Sequence, residues 1–228
     1  RMDFQQGLIT TIHEYGMTKH SSQELANGLK KRPTAILIPC LFEEFSRPAL
    51  ANIRDILSTF DDLNEIVIAL SAKSKEEVCD AKAFFSSMPF PVHIHWTNSP
   101  SVIELLKEQE NNGLELLGTP GKGWAVWQGI GLATIDSEVI ALFDADIRTF
   151  NYSYPARMLQ PLLDPSNGIS YVKAFYSRLS LETNALQGRA TRLFVGPLLA
   201  SLEQLLGNGP FLDYLQAFRY PLAGEFAF

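Results

Sequence analysis

The amino-acid sequence predicts an α/β protein with a mostly parallel central sheet flanked by helices, a Rossmann-like arrangement. Short apolar runs rich in β-branched residues alternate with longer stretches of helical periodicity. The short runs are apolar at consecutive positions rather than at every second one, which is typical of strands buried on both faces. With 228 residues, 46% of them hydrophobic, the chain can fill one large core.

The chain is predicted to begin with a helix over residues 1 to 31. The sequence "SSQE" places Ser21 three residues before Glu24, which is the spacing of a capping box. The apolar run "TAILIP" (34 to 39) then predicts the first strand. These elements open the alternation of helices and strands on which the fold class rests.

A helix is predicted next, opened by Ser46 and Pro48 and running to Phe60. Serine is a good N-cap, and proline is tolerated in the first turn of a helix. The run "NEIVIAL" (64 to 70) predicts the second strand. Its consecutive apolar residues indicate that this strand is also buried on both faces.

A second capping box, Ser74 with Glu77, precedes a helix that is predicted to extend to about Ser86. The run "PVHIHW" (91 to 96) predicts the third strand. A helix beyond it closes at Gly113, because glycine commonly follows the last turn of a helix.

The start of that helix is assigned to a third capping box, Ser101 with Glu104. Another helical stretch, from about Gly123 to Thr134, leads into the fourth strand, "EVIALFD" (138 to 144). Four apolar strands separated by helices predict parallel strands, whose carboxyl ends form the ligand-binding edge of such sheets.

The pattern changes after the fourth strand. The run "GISYVKAFYSR" (168 to 178) predicts a longer strand, and residues 189 to 206 predict a helix with few charges. No internal repeat or linker separates this part from the preceding one, so one domain is expected.

Composition excludes several classes of protein. The formal net charge of -6 argues against a general nucleic-acid or membrane-surface binder. Two cysteines, Cys40 and Cys79, are too few for a disulfide framework and indicate a reducing compartment. No apolar run reaches membrane-spanning length, and "RMDFQQGLIT" lacks the order of a signal peptide. A cytoplasmic location is therefore predicted.

Two aspartates follow the fourth predicted strand, with one residue between them. Residues i and i+2 of an extended segment point the same way, so Asp144 and Asp146 are expected to present two carboxylates at the end of the sheet. Neighbouring carboxylates repel each other and favour a hard divalent cation, Mg²⁺ or Mn²⁺. Such a metal would bridge the oxygens of a diphosphate. The alternative is that the aspartates cap a loop.

Three further charged residues are predicted to lie at the same edge. Glu43 and Glu44 follow the first strand, where a base or ribose lies in doubly wound folds; two solvated acids before a helix are the alternative. "GTPGKGW" (118 to 124) places Lys122 between glycines, which allows close backbone approach to a phosphate. It does not match a P-loop, and a flexible loop lysine is the alternative.

A second anion site is predicted in "QGRATR", where Gly188, Arg189 and Thr191 begin a helix. An arginine paired with a nearby acid is the alternative. His93 and His95 share one face of the third strand without a third ligand nearby, so we expect structural or exposed histidines rather than a metal site. No pattern indicates a Ser-His-Asp or Cys-His catalyst.

Seven segments together resemble a known family, in the same order and at similar spacing. They are "ILIPCLFEE", "PGKGWAVW", "ALFDADI", "FNYSYPARMLQPLL", "YVKAFYSR", "GRATRLFVGPLL" and "YPLAGEFA". The family is the glucosyl-3-phosphoglycerate synthases, GT-A-fold retaining glycosyltransferases that move glucose from a nucleotide sugar to D-3-phosphoglycerate. The resemblance covers about residues 34 to 227.

The resemblance implies a role for each matching residue. The donor-binding residues would be Pro39, Cys40, Leu41, Glu43, Ser71, Lys122, Asp144 and Ala145. The first five of these would surround the uridine, and Lys122 would contact the diphosphate. Asp146, with Asp144, would bind the metal.

The same resemblance implies an acceptor site and a sugar site. Gly188, Arg189 and Thr191 would hold the phosphate of phosphoglycerate. The segment "PLAGE" would border the transferred sugar through Leu222, Gly224 and Glu225, with Leu222 and Glu225 as the catalytic residues.

The resemblance also implies an organisation within one GT-A domain. Residues 1 to 31 would form an N-terminal helical segment. Residues 32 to 146 would form the half that binds the nucleotide sugar, and residues 147 to 228 the half that binds the acceptor. The acceptor half is expected to be truncated at its C-terminus.

Two features depart from the family. An acidic "DSGSTD"-like run usually follows the second strand, but this chain has "ALSAKS" (69 to 74), so Leu70 replaces the aspartate that would read uracil. UDP-glucose is the expected donor, while GDP-glucose or relaxed use stays open. A histidine metal ligand is expected beyond "PLAGE", but all four histidines of this chain precede Asp144.

The implied function is that of a metal-dependent retaining glucosyltransferase in the biosynthesis of the compatible solute glucosylglycerate. Its partners would be the nucleotide sugar and 3-phosphoglycerate, with a homodimer expected from the family and no nucleic acid or membrane. One alternative is a mannosyltransferase that uses GDP-mannose and glycerate or phosphoglycerate. Another is a non-catalytic nucleotide-sugar-binding protein. A nucleotidylyltransferase is disfavoured by "PLAGE".

Overall fold

The computed structural model describes residues 19 to 111, 113, 120 to 175, 191 to 218 and 221 to 228. Its strands are β1 (Thr34–Leu41), β2 (Glu65–Ser71), β3 (Val92–Trp96), β4 (Val139–Leu142), β5 (Val172–Lys173) and β6 (Phe226–Ala227). They form one sheet in the order β3-β2-β1-β4-β6-β5. β1 to β4 run parallel, and β6 is antiparallel to β4. The predicted α/β class with a mostly parallel sheet is confirmed.

The described residues contain a helix in each stretch predicted to be helical and two helices that were not predicted. The helices are α1 (Lys19–Lys31), α2 (Pro48–Leu57), α3 (Lys75–Phe84), α4 (Pro100–Asn111), α5 (Lys122–Ala133), α6 (Ser153–Leu163), α7 (Gly196–Leu206) and α8 (Pro210–Ala217), of which α6 and α8 were not predicted. Of the helix predicted over residues 1 to 31, residues 1 to 18 lie outside the described residues. A 3₁₀ turn, Phe42–Ser46, precedes α2, and a π-helix, Thr191–Val195, precedes α7. None of these helices has the length and apolar character that a membrane crossing needs.

The predicted capping box at the start of α3 is confirmed. The Ser74 hydroxyl accepts a hydrogen bond from the Glu77 N–H at 3.4 Å. The Glu77 side chain reaches back as expected, but its Oε2 accepts from the backbone N–H of Lys73 at 2.7 Å, one residue before the cap. This bond fixes the backbone that leads out of β2.

The other two predicted capping boxes are wrong, and Ser46 is not an N-cap either, because Arg47 stands at the N-cap position of α2. Ser21 is not an N-cap, because it already lies inside α1. Ser101 likewise lies inside α4, and the free N–H of Val102 donates instead to the Ser99 hydroxyl at 3.3 Å. Pro100 explains the shift, because proline favours the first helical position and leaves the residue before it as the cap.

The strand predicted over residues 168 to 178 is too long. Only Val172–Lys173 form a strand, and residues 176 to 178 lie outside the described residues. Gly168, with φ of +63°, closes a turn just before it. β5 is an edge strand beside β6, which is itself two residues long and offers no further backbone to pair with.

The core lies on both faces of the parallel strands. One face packs on α5 and consists of Ala35, Leu37, Val67, Ala69, Ile140 and Leu142, with Ala125 and Ala133 of the helix. The alternate residues Ile36, Ile38, Ile66, Ile68 and Leu70 are fully buried and point to the opposite face. The uninterrupted apolar runs of the sequence therefore reflect a sheet that is covered on both sides.

The described residues divide into two compact units. The first comprises the described parts of Met17–Val172 and Glu225–Phe228, and holds β1 to β4 and β6. The second comprises the described parts of Lys173–Gly224, and holds α7 and α8.

Candidate active site

The carboxyl ends of β1 and β2 form one wall of a pocket. Leu41 and Ser71, the last residues of these strands, are paired in register. The pocket has a volume of about 330 Å³ and is lined by Leu41, Glu43, Glu44, Arg47, Ser71, Ala72, Lys73, Glu77 and Asn98. The strand order reverses between β1 and β4, so the pocket lies next to the point at which doubly wound sheets bind ligands.

Glu43, which follows β1, and Lys73, which follows β2, form an ion pair at this pocket. The Lys73 ammonium donates a hydrogen bond to Oε1 of Glu43 at 2.7 Å. This bond and the lysine charge lower the pKa of Glu43, and the same bond raises the pKa of Lys73. The two side chains are 54% and 79% exposed, so their ion pair contributes little stability and can exchange partners readily.

Glu44 has a different environment from its neighbour. The 3₁₀ turn leaves Glu43 exposed and buries Glu44, which is 9% exposed. Its Oε1 accepts from Nη1 of Arg47 at 2.6 Å, while its Oε2 is buried without a hydrogen-bond partner. The alternative of two solvated acids therefore does not hold for Glu44.

Cys40 is an inert thiol in the strand beneath the pocket. Its side chain is buried and donates to the carbonyl of Leu41, with Sγ 3.2 Å from the oxygen. Burial, with the nearby charges of Glu44 and Glu43, raises the pKa of Cys40 to about 12, so the nucleophilic thiolate is not formed near neutral pH. Pro39 and Cys40 are not among the described residues that line the pocket.

Leu70, which the resemblance places where the family has an acidic residue, is not among the described residues that line the pocket. Leu70 is fully buried and pairs with Cys40 on one side and Trp96 on the other. The pocket wall beyond β2 is formed instead by Ser71, Ala72 and Lys73.

Asn98 is a pocket residue that the sequence analysis missed. Its Oδ1 accepts from the backbone N–H of Ala72 at 3.1 Å, and its Nδ2 donates to the carbonyl of Ala72 at 2.9 Å. This pair of bonds fixes the backbone next to Lys73. Only the position of Asn98 just after the third strand could have pointed to it.

Lys122 and Asp144 meet as an ion pair at the end of β4. Lys122 is the first residue of α5, and its ammonium donates to Oδ1 of Asp144. The lysine side chain is 50% exposed and the aspartate side chain 22% exposed. Ala145 is buried between Asp144 and the exposed Asp146. Two residues predicted to meet a diphosphate are thus in contact with each other.

Glu225 reaches the same edge of the sheet from the C-terminal end of the chain. It directly precedes β6, whose first residue, Phe226, pairs with Leu142 at the end of β4. Glu225 is 2% exposed. The antiparallel register therefore brings a buried carboxyl group to the edge at which Asp144 follows β4.

The two aspartates fit a metal that is shared with a substrate. Within the described ranges, no group of three or more His, Cys, Asp or Glu side chains is arranged to hold a metal ion. Asp144 and Asp146 nevertheless supply the carboxylate oxygens that Mg²⁺ and Mn²⁺ prefer. Mg²⁺ commonly binds through one or two carboxylates and completes its coordination with substrate phosphates. The donor set therefore suits a metal held together with a diphosphate.

The two histidines of β3 each lie next to a polar side chain of a neighbouring element. Nε2 of His95 lies 2.7 Å from Oε1 of Gln128, and Nε2 of His93 lies 3.3 Å from Oε2 of the buried Glu65. That they are structural or exposed histidines rather than metal ligands stays a prediction.

The predicted acceptor residues are described only in part. Gly188 and Arg189 lie outside the described residues, and Thr191 begins the π-helix before α7. Leu222 is 52% exposed. The Lys173 ammonium donates to the carbonyl of Ala223 at 2.7 Å, a contact within the second unit that the sequence did not indicate.

No protein-family model matches the chain. Two curated relatives are glucosyl-3-phosphoglycerate synthases. The one from Methanococcoides burtonii is 37% identical over 227 residues, which are 99% of this chain and 56% of the relative. The one from Persephonella marina is 37% identical over 231 residues, with the same two shares. The chain thus spans about half the length of the curated relatives it matches.

Solved structures of enzymes with the same name are also similar to the chain. A glucosyl-3-phosphoglycerate synthase from Mycobacterium tuberculosis, in complex with Mn²⁺, UDP and glucosyl-3-phosphoglycerate, matches with a TM-score of 0.59 and 27% identity. The match covers 95% of this chain and 62% of that one. A complex of the same synthase with Mn²⁺, UDP-glucose and phosphoglyceric acid matches with a TM-score of 0.61 and 25% identity. The chain is therefore a GT-A-fold homologue, over nearly its whole length, of the glucosyl-3-phosphoglycerate synthases.

Proposed function

We propose that this chain transfers glucose from UDP-glucose to D-3-phosphoglycerate, with retention of anomeric configuration. The observation that carries the proposal is the 37% identity over 99% of the chain to two glucosyl-3-phosphoglycerate synthases. The contact of Lys122 with Asp144 and the pocket at the ends of β1 and β2 support it, because these are the features that a nucleotide diphosphate requires.

The first unit supplies the donor site in this proposal. The base and ribose occupy the pocket next to Leu41, Glu43 and Ser71, above the strand that contains Pro39 and Cys40. Lys122 neutralises charge on the diphosphate, and the segment Asp144, Ala145, Asp146 holds the sugar nucleotide. This assigns residues 32 to 146 to the nucleotide sugar.

The acceptor half, residues 147 to 228, is assigned to phosphoglycerate and to the transferred sugar. Gly188, Arg189 and Thr191 bind the acceptor phosphate, because a helix start with an arginine suits a small anion. Leu222 and Glu225 border the glucose. The register of β6 beside β4 supports this role for Glu225, since it brings the carboxyl group to the edge at which Asp144 follows β4.

The chemistry needs no nucleophile from the protein. In front-face attack the leaving diphosphate deprotonates the acceptor hydroxyl, so the chain contributes by positioning substrates and stabilising charge. Lys122 places a cation where the leaving group develops negative charge. A divalent metal, when bound by Asp146 and Asp144, would supply further charge neutralisation on the diphosphate.

The location and assembly are proposals as well. Cys40 and Cys79 are both free, which supports the cytoplasm as a reducing compartment. A homodimer is proposed from the family resemblance alone.

The experiment is an assay of nucleoside diphosphate release by the full chain. With Mn²⁺ or Mg²⁺, UDP-glucose and 3-phosphoglycerate, we expect UDP release that requires both the metal and the acceptor. GDP-glucose and GDP-mannose serve as donor controls, and glycerate as the acceptor control.

Each other outcome points to a different function. Release from GDP-mannose but not from UDP-glucose would replace the proposal by mannosyl transfer, although both curated relatives are glucosyl-3-phosphoglycerate synthases. Binding of UDP without release with any acceptor would contradict an enzyme and support a nucleotide-sugar-binding protein.

A further inference from the structure

The pocket at the ends of β1 and β2 carries charged residues that the proposed function leaves without a role, among them Lys73 and Glu44. We propose that Lys73 and Glu44 select the nucleobase of the donor, favouring bases in which a ring carbonyl adjoins a ring N–H. Uracil and guanine have this edge, whereas cytosine and adenine present an amino group beside an unprotonated ring nitrogen. The inference rests on the proposed function and deepens it.

Lys73 combines a backbone held in place by hydrogen bonds with a flexible, exposed side chain. Its backbone N–H is held by Glu77 at 2.7 Å, and Asn98 binds both the N–H and the carbonyl of the preceding residue, Ala72. The side chain is 79% exposed, so the ammonium can move while its Cα stays in place. Only the side-chain rotamers of Lys73, and not its backbone, have to be ordered when the ammonium contacts a ligand in the pocket.

Lys73 pairs with Glu43, a carboxylate to which the ribose of a bound nucleotide could also hydrogen-bond. Glu43 accepts from the Lys73 ammonium at 2.7 Å, and a carboxylate in this place can accept hydrogen bonds from vicinal ribose hydroxyls. With ribose hydroxyls sharing the oxygens of Glu43, the Lys73 ammonium has donors left for the base. An ammonium donates three hydrogen bonds and accepts none, so it favours a carbonyl oxygen and disfavours an amino group.

Glu44 provides the complementary acceptor. Arg47 holds its Oε1 at 2.6 Å, but its buried Oε2 lacks a donor. A buried charged oxygen without a hydrogen bond is costly, and a ring N–H of a bound base would satisfy it. An ionised carboxylate cannot donate, so it would oppose the unprotonated ring nitrogen of cytosine or adenine.

Both residues line the same pocket, and together they offer a donor for a carbonyl and an acceptor for an N–H, whereas the amino group and bare ring nitrogen of an amino base would suit neither. Sites built to hydrogen-bond a substrate reject analogues that leave the site's polar groups unpaired. Because Lys73 is exposed, its own contribution is reduced by solvent, and we expect about a fivefold effect from it alone. A separate carboxylate at the position of Leu70 is not needed.

The experiment compares dissociation constants of two matched ligand pairs by titration calorimetry of the full chain with Mn²⁺. UDP and CDP differ only at the edge of the base that carries the carbonyl and the N–H in uracil. GDP and ADP differ mainly at the corresponding edge of their six-membered rings. We expect UDP to bind more tightly than CDP by about tenfold or more, and GDP more tightly than ADP. We define the UDP to CDP ratio as the association constant of UDP divided by that of CDP. Lys73→Gln should lower this ratio about fivefold, because glutamine both donates and accepts hydrogen bonds.

Lys75→Gln is the control, since Lys75 is exposed on the same helix start and does not line the pocket. It should leave the ratio unchanged. Glu44→Gln should also lower the ratio, after circular dichroism has shown that it folds; if it does not fold, Lys73→Gln decides alone.

Two results would overturn the proposal, and they are distinguishable. A UDP to CDP ratio near one, or a ratio that Lys73→Gln leaves unchanged, would overturn the base selection while the glucosyltransferase stands. Failure of the unaltered chain to bind any nucleoside diphosphate would overturn both.

Discussion

The charged residues of the candidate site pair with one another. Lys122 pairs with Asp144, and Lys73 pairs with Glu43, so each cation that a nucleotide would meet is held by an acid at the same edge of the sheet. When a ligand binds, each cation exchanges its acidic partner for a group of the ligand. Unpaired charges therefore do not have to be desolvated, which is costly. Each cation should affect only the part of the ligand that it touches.

Lys122→Ala tests this at the diphosphate. We expect the affinity for UDP to fall about tenfold, because a hydrogen bond from a charged donor to a phosphate oxygen contributes about 1.5 kcal/mol or more. The affinity for uridine should not change, because uridine has no diphosphate. Titration calorimetry with both ligands measures the two effects.

Lys107→Ala is the matched control, since Lys107 is exposed on α4 and does not line the pocket. It should leave both affinities unchanged. Equal losses of UDP and uridine binding in Lys122→Ala would show that the substitution disturbs the pocket as a whole and that Lys122 does not act on the diphosphate.

The sequence predicted which residues reach the ligand edge better than it predicted their environments. Glu43, Lys122 and Asp144 follow from strand ends and a glycine-rich segment, both of which are local signals. The burial of Glu44 depends on the 3₁₀ turn, and the partner of Lys73 lies 30 residues away. Such pairings depend on how strands are ordered, which no local pattern records.

At the scale of elements, α5 lies close to the sheet because its buried face is small. Ala125, Gly129 and Ala133 recur at four-residue spacing and face β1 and β2. A Cβ on Gly129 would overlap the side chain of Leu37. The close approach places the first residue of the helix, Lys122, within reach of Asp144.

Gly129→Ala should therefore destabilise the protein although alanine favours helices. Overpacking typically costs 1 to 3 kcal/mol, about as much as or more than the roughly 1 kcal/mol that alanine gains over glycine in a helix. Gly131→Ala, where an added Cβ meets nothing within 4 Å, should stabilise the same helix by up to about 1 kcal/mol. Urea denaturation of both variants measures the difference, and equal stabilities would contradict close packing at Gly129.

Element identities were more predictable than element ends. The apolar runs gave β1 to β4 because burial on both faces leaves a continuous signal in the sequence. The ends depended on neighbours: Pro100 moved a cap to Ser99, and the two residues of β6 limited β5. Packing partners of this kind become visible only once the sheet order is known.

At the scale of the whole molecule, residues far apart in the sequence lie at one edge of the first unit. Leu41 and Ser71 are the last residues of β1 and β2. Asp144 follows β4, and Glu225 precedes β6 next to the end of β4. A ligand that bridges the pocket and the aspartates would connect several strands at once. Its binding should therefore stabilise this unit against unfolding.

UDP with Mn²⁺ should raise the melting temperature of the chain. At a concentration of 100 times the dissociation constant, binding contributes about 2.7 kcal/mol, which corresponds to about 5 to 10 °C for a protein of this size. UDP alone should give a smaller rise, because the metal joins the diphosphate to Asp146 and Asp144. Differential scanning calorimetry measures both increments.

Asp146→Asn tests the contribution of the metal to the melting temperature separately from that of the nucleotide. Asp146 is exposed, so its substitution should leave the melting temperature without ligand unchanged, while the increment that Mn²⁺ adds to UDP should disappear. Asp80→Asn, on the exposed face of α3, should keep the full increment. A Mn²⁺ increment that survives in Asp146→Asn would place the metal elsewhere, and the paired aspartates after β4 would then be loop residues, as the alternative explanation of this motif requires.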